Sequence, residues 1–313
     1  MGALADNFLL FEHHLSLRAT ERSVAIPRLL HFVRNDSALL LHEGGKVKIL
    51  FIADIIGKPG REVVKNILPQ IMTEENIRFV IANCENAAGG FGLTPNISRE
   101  VFSEGVDVIT MGNHVWARKE ISEIIEEENI LRPANFPPEV PGKGWTIIQA
   151  GNGIKVGVIN LMGRVYMSTL ECPFRTTDEI IEEISKQTKI IVVDMHAEIT
   201  SEKVAMGWYL DGKVSAVIGT HTHVPTADER ILPQGTAYIT DVGMTGPRDS
   251  VIGVKKEIIL KRYLTQMPIR FEVAKEDLVF AGAVMEVDEK TGKAKSIRRI
   301  AKPFEGKIEE SGE

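Results

Sequence analysis

The stretch VKILFIADIIGKPG, residues 47–60, decides how the fold is read. A short apolar run ends in Asp54, and the glycine-bearing turn after it leads through Pro59 and Gly60 into a helix to about Met72. That helix has Val63, Val64, Ile67 and Leu68 on one face. Run length and the helix-start signals that follow assign residues 47–53 to a strand. Outward from this unit the theme recurs. RFVIAN (78–83) and VDVITM (106–111) read as strands with a helix near 96–104 between them, and Ile121, Ile124 and Ile125 stripe a further helix. KVGVINL (155–161), KIIVVDM (189–195) and VSAVIGT (214–220) are strands, with helices over 178–188 and 201–209. TAYIT (236–240), a helix near 255–267, and AGAVMEVD and KAKSIRRI around the turn Glu289–Gly292 complete the pattern, the last pair as a hairpin. Strands alternating with helices, then a hairpin, predict α/β layers with a mixed sheet or two packed sheets.

Residues 1–46 carry apolar side chains without a sustained period, and regular patterning begins abruptly at Val47. We expect an N-terminal extension there, disordered or produced by a start assigned too far upstream, then one domain over 47–303 and a polar, frayed tail over 304–313. The 313 residues are 43% hydrophobic and 26% charged, as in an ordinary globular protein. No run of about 18 uncharged apolar residues occurs, so no membrane span is expected. The net charge of −6 gives little support for gripping a nucleic-acid backbone, and strong nucleic-acid binding is not expected. Cys84 and Cys172 form neither a disulfide framework nor a CxxC motif, which fits a reducing, cytoplasmic setting. Homo-oligomerisation is left open.

The chemistry-bearing residues sit where strands end. Asp54 ends the first strand, Glu85 and Asn86 follow the second, and Asn113 and His114 the third. His196 follows KIIVVDM, while His221 and His223 follow VSAVIGT. Ligands of open α/β sheets bind outside the carboxyl ends of strands, so five strands deliver these groups to one edge. Of 8 histidines, four (His13, His14, His31, His42) lie in the N-terminal segment, and the other four are all at these strand ends. Carboxylate, amide and imidazole donors without thiolate suit manganese, iron or zinc. The set exceeds what one ion needs, which predicts two ions sharing a carboxylate, with Glu85 as the bridge.

GNH at 112–114, a solitary His196 and GTHTH at 219–223 resemble the motif series of the calcineurin-like metallophosphoesterases. The Asp-x-His that usually opens that series is here Asp54-Ile55-Ile56, and the usual Gly-Asp is Cys84-Glu85-Asn86. Both departures, together with DIIGKPGR (54–61), NCENAAGGFGLT (83–94) and TMGNHVW (110–116), are similar to the YmdB-like branch of 2′,3′-cyclic-nucleotide 2′-phosphodiesterases, over about Val47 to Pro303. The resemblance implies a four-layer α/β/β/α sandwich. It implies Asp54, Glu85, Asn86 and His223 on one metal and Glu85, Asn113, His196 and His221 on a second, with Asn86 replacing the missing first-motif histidine. The implied metal is iron, which manganese can replace, and the implied partner is a small cyclic nucleotide. Two such ions bring the pKa of a shared water towards neutrality for attack on phosphorus. His114 is then the proton donor to the departing oxygen.

Other residues are read more plainly. Cys84 is a small buried hydrophobe, because adjacent strand residues face opposite ways. Gly89, Gly90 and Gly92 are turn glycines or points of phosphate approach. Arg248, in the polar loop TGPRDSVIG (245–253), is read as a solvated arginine ahead of a phosphate contact, and Phe91, Trp116 and Tyr166 as core ahead of a surface for stacking a base. The rival functions are hydrolysis of another phosphate ester, and a metal-binding regulatory protein with weak hydrolysis.

Overall fold

Side-chain alternation along a few central strands explains the architecture. A computed structural model describes residues 45–150 and 153–306. The expectations for the N-terminal extension and the polar tail therefore fall almost wholly outside the described residues. In chain order the elements are β1 (Lys46–Ile52), β2 (Asp54–Ile55), α1 (Gly57–Glu75), β3 (Phe79–Asn83), α2 (Pro95–Ser103), β4 (Val108–Thr110) and β5 (Ile130–Leu131). They continue with β6 (Trp145–Gln149), β7 (Lys155–Met162), α3 (Pro173–Ser185), β8 (Ile191–His196), α4 (Thr200–Leu210) and β9 (Ala216–Thr220). The last are β10 (Arg230–Ile231), β11 (Ala237–Ile239), β12 (Met244–Pro247), α5 (Lys256–Thr265), β13 (Leu278–Asp288) and β14 (Ala294–Phe304).

Two mixed sheets form. One runs β2-β12-β13-β1-β3-β4-β5 with β14 paired to β13, and the other runs β10-β11-β9-β8-β7-β6. β1, β3, β4 and β5 are parallel neighbours, as are β7, β8, β9 and β11, so their carboxyl ends share an edge. In β1, Leu50 and Ile52 pack against Val63, Val64, Leu68 and Ile71 of α1, whereas Val47, Ile49 and Phe51 face the other sheet. In β8, Val192 joins that inter-sheet layer, while Ile191, Val193 and Met195 turn towards Ile180 and Ile184 of α3 and Met206 and Leu210 of α4. Strands buried on both faces read as continuous apolar runs, as these do. Three apolar layers thus separate helices, sheet, sheet and helices, the four-layer α/β/β/α sandwich.

The structure departs from the sequence reading in several places. Asp54 does not end β1. The ladder breaks at Ala53, and Asp54 opens β2, paired in parallel with Met244 of β12. The stripe Ile121, Ile124, Ile125 forms only a 3-10 turn over Lys119–Glu123. The acidic run Glu126–Glu128 falls where a helix C-terminus disfavours negative charge. β12 (Met244–Pro247) takes in residues 245–247 of the supposed polar loop, whereas Arg248 is exposed, as expected, and paired with Asp277 at 2.7 Å. Phe91, Trp116 and Tyr166 are not core, being 37%, 41% and 87% exposed. Cys84 is fully buried and packs on the helix side of the first sheet, as expected.

Candidate metal centre

The inter-sheet layer changes character along its strands. Phe79 and Ile81, Val108, Val192, and Ala216 and Ile218 fill it with carbon. Two residues further on the same faces stand Asn83, Thr110, Asp194 with His196, and Thr220, all fully buried. Buried polar groups need partners, and here one carboxylate supplies them. Asp194 Oδ1 accepts the Thr220 hydroxyl at 2.6 Å, and its Oδ2 accepts the Thr110 hydroxyl at 2.6 Å and Asn83 Nδ2 at 3.1 Å. Asn83 Oδ1 in turn accepts the Glu85 amide at 3.1 Å. Asp194 so joins β3 and β4 of one sheet to β8 and β9 of the other.

This network orients His196. The Thr220 hydroxyl gives its proton to Asp194, so at 2.9 Å it accepts from His196 Nδ1–H, and the ring's Nε2 faces the centre. Within 3.1 Å of that Nε2 lie Glu85 Oε1, Asn113 Oδ1 and His221 Nδ1. His221 Nε2 meets the Glu198 carboxylate at 2.9 Å. His223 Nδ1 donates to the Ile252 carbonyl at 2.9 Å, leaving its Nε2 4.0 Å from Asp54 Oδ1. All three imidazoles are held by the outer nitrogen; the inner one points at Glu85 in His196, at Asp54 in His223 and at His196 Nε2 in His221, the arrangement that fixes tautomer and direction in a metal ligand.

A cation fits here on three counts. Glu85, His196 and His221 offer ligand atoms all within 4.8 Å of one another, so the group can hold a metal ion. Asp54 Oδ1 and Asn86 Oδ1 are buried without a hydrogen-bond partner, a costly state for an acceptor that a positive charge relieves. The donors are oxygen and imidazole nitrogen throughout. Electrostatics agree with so dense a cluster. Burial pushes the Asp54 carboxyl well above the usual range. Burial acts the same way on Glu85, but His196, then the nearby His114 imidazole and the His114 amide, overcome it and hold Glu85 down at about 2. His196 is raised to about 9, with Glu85 outweighing burial, and His221 is lowered to about 3 by burial and then by His196.

Two local features set this geometry. Gly112 lies so close to the centre that an added Cβ would stand 2.2 Å from His196 Nε2 and 2.4 Å from Glu85 Oε2. Gly112→Ala should therefore displace both side chains and abolish metal retention at stoichiometric loading, as read by elemental analysis of the purified variant. Retained metal at the native level would show that the loop moves aside. His221 and His223 both have left-handed backbones, with φ of 95° and 64°, which non-glycine residues adopt reluctantly. The loop between them is anchored through Asp241, which accepts the Thr222 amide at 3.2 Å and its hydroxyl at 2.8 Å. Lys203 of α4 donates to Asp241 Oδ2 at 2.7 Å and to the Thr220 carbonyl at 3.2 Å, and both charged side chains are 1% exposed.

Beside the centre lies a cleft of about 270 Å³, whose lining includes Glu85, Asn86, His114, Glu198, His221 and His223. The His114 amide donates to Glu85 Oε2 at 3.0 Å, and its ring packs edge-on against Phe91, centroids 4.9 Å apart. Phe91 is carried by the loop 87–92, which Arg118 clasps by donating to the Phe91 and Ala88 carbonyls at 3.1 and 2.7 Å. Gly92, with φ of 79°, has no room for a Cβ against Arg118 Cγ at 2.7 Å, so it is a turn glycine.

The structure thus brings Asp54, Glu85, Asn86, Asn113, His114, His196, His221 and His223 to one edge. Asp194, Glu198, Lys203 and Asp241 lie outside the sequence reading, and Asn83, Thr110, Gly112 and Thr220 stand in its motifs without a role. A signal existed for Asp194, the one charge late in an apolar strand and two residues before His196, hence on its face. Nothing local marks Lys203 or Asp241, which meet only in the fold.

This sandwich, with its oxygen and imidazole donors at the strand ends, is of the calcineurin-like phosphoesterase class. Residues 50–300 match the family model described as YmdB-like protein, and the chain belongs to the YmdB-like family. It is 52% identical to the 2′,3′-cyclic-nucleotide 2′-phosphodiesterase of Bacillus subtilis strain 168 over 81% of this chain and 96% of that protein. Two crystal structures are also similar. A hypothetical protein of Thermus thermophilus is 42% identical with a TM-score of 0.77, covering 82% of this chain and 99% of that one. A novel phosphatase of Mycoplasma pneumoniae is 36% identical with a TM-score of 0.78, covering 82% and 94%. No helix among the described residues is long and apolar enough to cross a membrane.

Proposed function

We propose that this protein hydrolyses the 2′ ester of 2′,3′-cyclic nucleotides to give 3′-nucleotides. The observation that carries the reading is the donor cluster with two orphaned buried oxygens opening on a cleft. The name of the Bacillus relative supports the substrate. Asp54, Glu85, Asn86 and His223 would hold one ion, and Asn113, His196 and His221 a second, with Glu85 shared between them. Iron is the proposed metal, with manganese able to replace it. Bound ions of this kind acidify water and neutralise phosphoryl oxygens.

The chain's own residues do the rest. Asp194 through Thr220, Glu198 and the Ile252 carbonyl keep the three imidazoles in register. His114, at the cleft wall, gives its proton to the 2′ oxygen as the bond to phosphorus breaks, so that oxygen is freed as a hydroxyl while the ribose stays joined to phosphorus through its 3′ ester. Free Cys84 and Cys172 suit a reducing compartment, and we assign the protein to the cytoplasm.

The test is hydrolysis of 2′,3′-cyclic AMP with Mn²⁺ or Fe²⁺ and with chelator, products separated by chromatography. We expect metal-dependent formation of the 3′-phosphate and loss of turnover on chelation. Appearance of the 2′-phosphate, or turnover of bis-p-nitrophenyl phosphate alone, would overturn the assignment.

A further inference from the structure

The lining of the cleft is of two kinds. Charged and amide groups come from the metal centre, and beside them an apolar wall is made by Ile56, Phe91, Ile252, Val254, Phe271 and Val273, with Phe91 edge-on to the His114 ring. A phosphate needs none of this carbon. Phe91 is 37% exposed and Ile252 51% exposed, so part of the wall is in contact with water.

Ile252 is the telling residue. Its φ is +49°, where a β-branched side chain is a steric outlier. The backbone there has a task, since the Ile252 carbonyl accepts from His223 Nδ1 at 2.9 Å. Glycine would perform that task without strain. What isoleucine adds is a half-exposed apolar side chain beside the donor cluster.

Three polar side chains near this wall are already engaged. Glu272 is held by Lys255 at 2.6 Å, the Thr222 hydroxyl by Asp241 at 2.8 Å, and Glu198 by His221 at 2.9 Å. A flat, largely apolar group would cover the wall while meeting no committed hydrogen-bond code, and sequence-tolerant contact with bases works this way, because every base has a π-face.

We propose that the wall of Phe91 and Ile252, backed by Phe271 and Val273, is the subsite for the nucleobase, and that it takes purines and pyrimidines alike. This rests on the cyclic-nucleotide reading above.

The experiment compares KM for the 2′,3′-cyclic phosphates of adenosine, guanosine, cytidine and uridine with that for 1-O-methyl-ribofuranose 2,3-cyclic phosphate, which lacks a base. We expect the nucleotides to have KM lower by roughly 5- to 100-fold, the size of one base stacking on an aromatic ring, and to lie within about tenfold of one another. Ile252→Gly keeps the carbonyl and should collapse the nucleotide advantage while metal content by elemental analysis stays native, and Phe91→Ala should collapse it likewise. A native ratio near one, a ratio untouched in both variants, or preference for a single base by more than about 100-fold would each overturn the subsite while leaving the activity standing. Absence of any cyclic-nucleotide turnover by the native protein would instead overturn the activity and the subsite together.

Discussion

Alanine in place of His114 is expected to slow turnover of 2′,3′-cyclic AMP by roughly 10²–10⁴-fold, the usual size of a positioned acid–base group, with metal content unchanged. The backbone amide of residue 114 would still donate to Glu85 Oε2, so the carboxylate keeps its place. The imidazole is different. It packs on the edge of Phe91, lines the cleft with the metal donors and acts on the Glu85 carboxylate only through space. It can therefore leave without stranding a buried partner. A leaving group decides the role. Loss should be severe for the poorly leaving ribose oxygen and much smaller for bis-p-nitrophenyl phosphate, whose phenolate departs without a proton. An equal loss on both esters would remove His114 as proton donor, and a fall in bound metal would make it a ligand.

Lys203→Met is expected to lower unfolding free energy by about 3–5 kcal/mol, the range for removing one partner of a buried ion pair. Methionine keeps most of the aliphatic stem, so the change isolates the charge. Asp241 would be left buried with its Thr222 and Gly243 donors but without its counterion. The measurement is the denaturant midpoint of metal-free protein with the slope held to its native value. The same variant should bind Mn²⁺ more weakly, because the loop carrying His221 and His223 hangs on Asp241. A stability loss under about 1 kcal/mol would mean that water reaches the carboxylate.

Much of this is legible in the sequence because strand ends are local signals. Period, glycine and histidine placement suffice to put Glu85, His196, His221 and His223 at one edge, and the long hairpin β13–β14 follows from its turn. What escapes is set by packing. Asp54 belongs to a two-residue strand defined only by its partner Met244. The stripe of Ile121, Ile124 and Ile125 looks helical, yet those side chains are buried from a 3-10 turn and the bends after it. Aromatic residues are usually core, but Phe91 is held at the cleft by Arg118, a contact 27 residues away in sequence. The Lys203–Asp241 pair spans 38 residues and carries no periodic mark.

Asp194 has a further consequence for motion. It draws hydrogen bonds from β3 and β4 in one sheet and from β9 in the other while standing on β8. Neither sheet can slide or peel at this end unless all of those bonds break in one event. The amides of Asn83, Thr110, His196 and Thr220 should then exchange with deuterated solvent as a single opening unit, although they belong to two different ladders. An ion held at the edge would slow that shared opening on both sides of the sandwich, acting as a rivet through two plates.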